Sequence, residues 1–172
     1  MTRLRLPFLA LCASLLALPA AGQGFTEYQL KAGVLYNFIA FTTWPEPPPP
    51  VLNVCIYGTD PFGREIDTLQ GRRAGGSSLA IRRAGSVEAL APCHVVFLGQ
   101  AAIGNLPRVV EYLGNRPVLL VTDAPGSSAR GIVLNMDMQE GRLGFRANLV
   151  EARHRGLSLS SKLLRLASEV VQ

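Results

Sequence analysis

Four short apolar runs constrain this chain more than any other feature: LNVCIYG (52–58), SLAIRRAG (78–85), HVVFLG (94–99) and the strand-like part of RPVLLVTDAPG (116–126). Each has the length of a buried strand and is rich in Val, Ile, Leu or Phe. Helical stretches separate them. PFGREIDTLQG (61–71) reads as a short helix closed by Gly71, SVEALAP (86–92) as a turn of helix capped by Ser86, and IGNLPRVVEYLG (103–114) as an amphipathic helix entered at Pro107. RRAGGSS (72–78) reads as a mobile loop. Alternation of strand and helix predicts an α/β fold, a mostly parallel sheet with helices on both faces.

Two ends flank this pattern. Thr26 and Gln29 form a capping-box pair in front of EYQLKAGVLYNFIAFTTW (27–44), where Leu30, Val34, Leu35, Phe38 and Phe41 recur at helical spacing. Its second half is apolar on nearly every side except Asn37, which predicts burial by more than one neighbour. The helix should end before Trp44-Pro45, and PEPPPP (45–50) should form a stiff connector. At the other end GIVLNMDMQ (131–139) and RLGFRAN (142–148) alternate with period two around Glu140-Gly141. That specifies a C-terminal antiparallel hairpin with Ile132, Leu134, Met136 and Met138 on one face. LVEARHRG (149–156) follows as a short helix or loop. LSLSSKLLRLASEVV (157–171) reads as a closing helix with Leu163, Leu164, Ala167, Val170 and Val171 in an apolar stripe behind serine caps.

The first residues, MTRLRLPFLALCASLLALPAAGQG, carry Arg3 and Arg5, an apolar stretch from Leu6 to Leu18 and then small residues. This is the pattern of a secretory signal peptide, with Ala20 and Gly22 placing cleavage before Gln23. Lipidation at Cys12 is disfavoured, because Leu11 is too large for the position before such a cysteine. Removing residues 1–22 leaves about 150 residues, the size of one domain, so residues 23–172 are expected to form a single α/β domain. The formal charge falls from +5 to +3 as Arg3 and Arg5 leave. The remaining basic residues are scattered, and the pairs among them, Arg72-Arg73, Arg82-Arg83 and Arg153 with Arg155, read as solvated loop or edge residues. Without interleaved aromatics they argue against nucleic-acid binding, although a mildly basic face suits an acidic protein partner.

Cys93 beside His94 is the most tempting reactive pair. Neighbours on a strand point to opposite faces, so the two cannot share a hydrogen bond without distortion. The other histidine, His154, sits between Arg153 and Arg155, where protonation is disfavoured. A structural zinc site needs four clustered ligands, and no CxxC or HxxxH spacing supplies them. Two cysteines, Cys55 and Cys93, remain in an exported chain, and that even count favours a disulfide over two buried free thiols. GRRAGG matches no phosphate-binding loop, and Ser160, Ser161 and Lys162 lack the serine spacing of an SxxK hydrolase. No cofactor and no catalytic set is expected. Asp60 in the first loop and Asp123 at a strand end stand where α/β proteins bind ligands, which makes them a possible small-molecule crevice.

Several stretches together resemble the YfiR family of small periplasmic proteins: YQLKAGVLYNFIAFTTWP, LNVCIYGTDPFG, CHVVFLG, PVLLVTDAPG and RLGFRANLVEARHRGLSLSSKLLRLA, with Asn148 and Ser160-Ser161-Lys162 inside the last. The resemblance covers about Glu27 to Ala167. It implies an α/β fold, often homodimeric, that represses an inner-membrane diguanylate cyclase by holding its periplasmic sensor domain, which lowers cyclic-di-GMP and biofilm formation. It also implies an outer-membrane lipoprotein with a peptidoglycan-binding domain that removes the repressor. Departures are visible: no second cysteine pair lies near the hairpin, Arg130-Gly131 replaces a Gly-Gly, and Gly33 and Thr43 stand where relatives often carry larger or charged residues.

The expected function is therefore a periplasmic, non-enzymatic regulator that works by protein contact. Trp44 with the segment to Pro50, and the hairpin region with Arg130 and Arg146, are the expected contact surfaces. The alternative is a periplasmic small-ligand sensor or adaptor for a histidine kinase or receptor, using Asp60 and Asp123.

Overall fold

Each apolar run becomes a strand because its branched side chains pack on both faces of a sheet, and each ends where a turn carries the chain onto a helix. The computed structural model describes residues 26–126 and 131–172. The leader, with Cys12 and the cleavage point before Gln23, and Arg130 lie outside the described residues.

In chain order the elements are α1 (Glu27–Ala40), β1 (Thr42–Thr43), β2 (Val51–Tyr57), α2 (Arg64–Asp67), β3 (Arg73–Ala74) and β4 (Ser77–Ala84). A 3-10 turn (Glu88–Leu90), β5 (Val95–Leu98), a second 3-10 segment (Gln100–Asn105), α3 (Leu106–Leu113) and β6 (Leu119–Thr122) follow. The chain ends with β7 (Leu134–Gln139), β8 (Arg142–Asn148), α4 (Leu149–His154), β9 (Ser158–Leu159), α5 (Ser161–Leu164) and β10 (Glu169–Val171). Eight strands form one sheet in the order β10-β8-β7-β6-β5-β2-β4-β3, and β1 pairs with β9 in a small second sheet. The stretch β4-β2-β5-β6-β7 is parallel throughout. The strand order reverses at β2, which lies between β4 and β5, as in a doubly wound sheet.

Alternation along β2 divides the interior. Val54 and Ile56 join α1 residues Leu35, Phe38 and Ile39 in one apolar layer, while Cys55 and Tyr57 join α3 residues Val109 and Leu113 in the other. Helices thus cover both faces, as the sequence pattern predicts. The capping box at α1 is present, with the Thr26 side chain accepting from the Gln29 amide at 3.2 Å and the Gln29 side chain accepting from the Thr26 amide at 2.9 Å. The hairpin turns at Glu140 (φ 49°) and Gly141 (φ 76°), the two positive-φ positions of a two-residue hairpin turn.

Four expectations need correction. RRAGGSS is not a loose loop: Arg73–Ala74 and Ser77–Ala84 pair antiparallel across Gly75-Gly76, and Arg73 Nη2 donates to the Gly76 carbonyl at 3.1 Å. The 3-10 turn after β4 starts from Val87 with no side-chain cap, so Ser86 does not cap it. The closing helix is a single turn, α5, for which Ser160 does accept from the Leu163 amide at 3.2 Å. Beyond it Glu169–Val171 runs parallel to β8, because β8 offers an open ladder and Val170 and Val171 are β-branched. Finally, Leu134 and Met136 share the α1 layer, but Ile132 precedes the strand and packs in the α3 layer.

Candidate functional site

The carboxyl ends of the parallel strands, where a doubly wound sheet opens its crevice, are built from three short loops. After β2 the chain turns at Gly58 (φ 79°), whose added Cβ would meet the Ala102 Cβ at 3.0 Å, so only glycine admits this close approach. Asp60 follows. Its Oδ1 accepts from the Phe62 and Gly63 amides at 2.8 and 3.2 Å, and its Oδ2 from Arg83 Nε at 2.8 Å. Arg83 also binds Asp67 at 2.8 Å, which with Asp60 raises its pKa further.

Asp123, just beyond β6, lies in a different cluster. Its Oδ1 accepts from the Gln100 amide at 3.0 Å, and its Oδ2 from Lys31 Nζ at 2.7 Å and the Tyr28 hydroxyl at 3.4 Å. Lys31 also pairs with Glu27 one helical turn back. The two side chains of the Lys31 to Asp123 pair are 5% and 3% exposed, so this is a buried ion pair. Burial alone would lower the lysine's pKa, but its hydrogen bonds to Asp123 and Glu27 outweigh that, and it stands raised. The Tyr28 hydroxyl is raised as well, by burial first and then by the Asp123 charge. The two aspartates are thus held in separate ion pairs, one to Arg83 and the other to Lys31.

Towards the opposite end of the sheet Cys93, just before β5, forms a disulfide with Cys55 within β2, their Cα atoms 6.0 Å apart. Cys93 sulfur is thus bonded and offers no thiolate. His94 turns to Asn53 instead, its Nδ1 accepting the Asn53 amide at 3.0 Å while its own amide donates to the Asn53 carbonyl at 2.9 Å. Burial pushes the His94 pKa down. Two arginines close the end of α3: Arg116 Nε donates to the Leu113 carbonyl at 3.3 Å and Arg155 Nη1 to the Gly114 carbonyl at 3.1 Å. Cations there complement the negative end of the helix dipole. Arg155 is only 2% exposed, which corrects the reading of it as a solvated residue. Burial lowers its pKa, Glu151 opposes that, and Arg116 adds to it.

Among the expected contact residues, Trp44 is 6% exposed and packs in the α1 layer, so its ring is core rather than surface. β1 and β9 draw the chain inward beside it, and the segment after it faces outward: Pro45, Glu46, Pro47, Pro48 and Pro50 are exposed. Arg146 sits in β8 beside the sheet edge, 3.9 Å from Glu169 of β10. A groove of about 120 Å³ runs here between Ile132, Asn135, Arg146, Asn148, Glu169 and Val171. Val171, Val150 and Leu166 are exposed apolar residues of the C-terminal segment, Leu166 at 72%. Among the described residues no group of three or more His, Cys, Asp or Glu is gathered to hold a metal, and no helix is long and apolar enough to cross a membrane.

Lys31 goes unremarked in the sequence, and the buried role of Arg155 is not legible there. For Lys31 a signal existed, since Leu35, Phe38 and Ile39 are buried on the same helix and Glu27 stands four residues before it. Arg155 gave none, because its partner is a backbone carbonyl 41 residues away.

A model of the family described as YfiR/HmsC-like matches residues 28–168. A crystal structure of a conserved domain protein from Vibrio cholerae is similar in fold, with a TM-score of 0.52 at 12% identity. The alignment covers 85% of this chain and 60% of that one, so this chain spans less than two thirds of that protein's length. No curated protein matches the chain.

Proposed function

The chain belongs to the YfiR/HmsC-like family, and from that membership we propose that it is an exported, non-enzymatic regulator that binds the periplasmic sensor domain of an inner-membrane diguanylate cyclase and holds the cyclase inactive. The observation that carries the reading is the family match over residues 28–168, nearly all of the chain beyond its leader-like start. The side chains that looked reactive in sequence have other occupations: Cys93 is disulfide-bonded, His94 accepts an amide, and Asp60 and Asp123 are in ion pairs. Those occupations favour a protein that works by contact.

The contact surface we assign is the open edge of the sheet at β10, with the groove beside Arg146, the exposed Leu166 and Val171, and the hairpin next to them. A strand edge flanked by apolar side chains suits the addition of a segment of the partner. Repression then follows from differential affinity. If the sensor domain has an active and an inactive form, a regulator that prefers the inactive one shifts the population toward it. A swing from 1:99 to 99:1 requires a preference of roughly 10⁴-fold. A homodimer, and an outer-membrane peptidoglycan-binding lipoprotein that withdraws the regulator, complete the proposed arrangement.

The test is capture from a detergent-solubilised envelope extract with the tagged native chain. A membrane protein carrying a diguanylate cyclase domain should be retained, and Leu166→Ser should reduce its recovery. A chain that comes through alone, or with the same proteins as an unrelated periplasmic bait, contradicts the reading.

A further inference from the structure

We propose that the uncovered half of the β8 edge takes an extended, antiparallel segment of the partner that lays a lysine or arginine over Gly144 against Asp137. This rests on the reading of the open sheet edge as the contact surface. It names the part of that edge that is used and the chemistry it selects.

The backbone of β8 alternates in direction. The Asn148 amide turns inward and donates to the Val133 carbonyl ahead of β7 at 2.8 Å, whereas the Phe145 carbonyl turns outward and accepts from the Ser168 amide at 2.9 Å. Backbone groups two residues apart point the same way, so the N–H and C=O of Leu143 also point out of the sheet edge. β10 pairs only with residues 146–148 of β8, and no described residue's backbone takes up the Leu143 groups. The far edge of the sheet is treated differently. Leu79 of β4 exchanges backbone bonds with Gly71 and Arg72 at 2.8 and 2.9 Å, and the Ile81 amide donates to Gln70 Oε1 at 2.8 Å. Sheets close the edges at which pairing is unwanted, and here one stretch stays open. A residue that offers both a donor and an acceptor is matched by one directly opposed residue of an antiparallel strand, because such a pair exchanges both bonds.

A depression of about 580 Å³ lies along this stretch, with Asp137, Glu140, Arg142, Leu143, Gly144 and Ser168 in its lining. The hairpin register sets Asp137 opposite Gly144, so the two share a face of the sheet. Gly144 has no side chain, and a Cβ there would meet nothing nearer than the Asp137 carbonyl at 3.9 Å, which leaves the row from the edge to Asp137 open. Two strand spacings make roughly 10 Å, a span that a lysine or arginine and an aspartate bridge together. Asp137 accepts from Gln139 Nε2 at 2.8 Å, and among the described residues no cation lies within ion-pair distance of it. The neighbouring row is already filled in this manner: Glu169 of β10 stands opposite Arg146 of β8 and 3.9 Å from it. Glu140 adds a second carboxylate to the depression against the single Arg142, so the charge balance favours a basic segment.

The probe is a capped peptide, acetyl-Gly-Lys-Val-Thr-Val-amide, titrated into the purified, oxidised, isotope-labelled protein and followed by amide NMR. Saturable shifts of the Leu143 amide signal are expected. The same peptide with glutamate in place of lysine should bind about tenfold more weakly or worse. N-methylation of the valine after the lysine removes the donor to the Leu143 carbonyl and should abolish the shifts. Asp137→Asn keeps the side chain's shape and should weaken the lysine peptide several-fold while leaving the glutamate peptide no weaker. Gly144→Ala, whose methyl group enters open space, is the second variant and should also weaken the lysine peptide, with an unchanged circular dichroism spectrum. Shifts that never saturate, equal affinity for the lysine and glutamate peptides, or unchanged affinity in both variants overturn the proposal. A failed titration with the cyclase still captured removes this register and leaves the regulator reading in place.

Discussion

Lys31 Nζ lies 2.7 Å from Asp123 Oδ2, a buried ion pair between residues 92 apart in sequence that locks α1 onto the carboxyl end of the sheet. Removing one partner leaves the other charge buried, with Glu27 as the only carboxylate left beside Lys31 among the described residues. Asp123→Asn should therefore lower unfolding stability by about 3 kcal/mol in urea titrations. Replacing both together, Lys31→Met with Asp123→Leu, should cost less than either charge removal alone. The folded pKa of Lys31 lies above its ordinary 10.5, so the pair's contribution is complete below that pH and is lost as pH climbs through the folded value. The parent protein should lose stability more steeply than Asp123→Asn on that alkaline side, and equal slopes would contradict the account.

The Cys55 to Cys93 bridge closes a span of 38 residues. In the loop-entropy treatment such a closure contributes about 4 kcal/mol by restricting the unfolded chain. Cys55→Ala with Cys93→Ala should show a loss of that order in urea unfolding, and reduction of the parent should approach the same value. Thiol titration of the denatured, unreduced exported protein should find no alkylatable cysteine.

His94 is buried enough that its imidazole resists protonation, and its Nδ1 is occupied as an acceptor. The unfolded chain takes up that proton more readily, so stability falls with pH below the ordinary histidine value of 6.5. His94→Gln has no proton to take up there. Its stability profile should be flatter than the parent's between about pH 7 and 5, and an unchanged slope would remove His94 from the acid response.

Gly131 has φ of +97°, and a Cβ there would collide with the Val110 side chain on α3. Gly131→Ala should destabilise the protein, and Val110→Ala should recover only part of the loss because the backbone strain remains. Full recovery in the double variant would show that the contact with Val110 is the whole effect.

Much of the fold is legible in sequence because the strands are strongly apolar and the turns are punctuated by Gly and Pro. LNVCIYG, HVVFLG and PVLLVTD lie where the pattern puts them, and Glu140-Gly141 turns the hairpin. The misses come from tertiary override of local pattern. LSLSSKLLRLASEVV has helical spacing, but β8 leaves a ladder open, and Glu169–Val171 extends to fill it. Arg73 and Ala74 look like loop until Ser77 and Ser78 pair with them. The candidate sites were less legible still. A cysteine pair in an exported chain announces a bridge, whereas Trp44 reads equally well as anchor or core until β1 and β9 draw it inward. The ion pairs of Asp60 and Asp123 depend on Arg83 and Lys31, which no spacing rule connects to them.

Cells lacking this chain, complemented either with the parent gene or with Leu166→Ser, provide the most direct measurement: intracellular cyclic-di-GMP. Leu166 is 72% exposed, so the variant should match the parent's stability to within about 0.5 kcal/mol and any effect reports on contact. Repression by sheet-edge binding predicts that the nucleotide rises on deletion, returns to the starting level with the parent gene, and stays elevated with the variant. A deletion that leaves cyclic-di-GMP unchanged contradicts it.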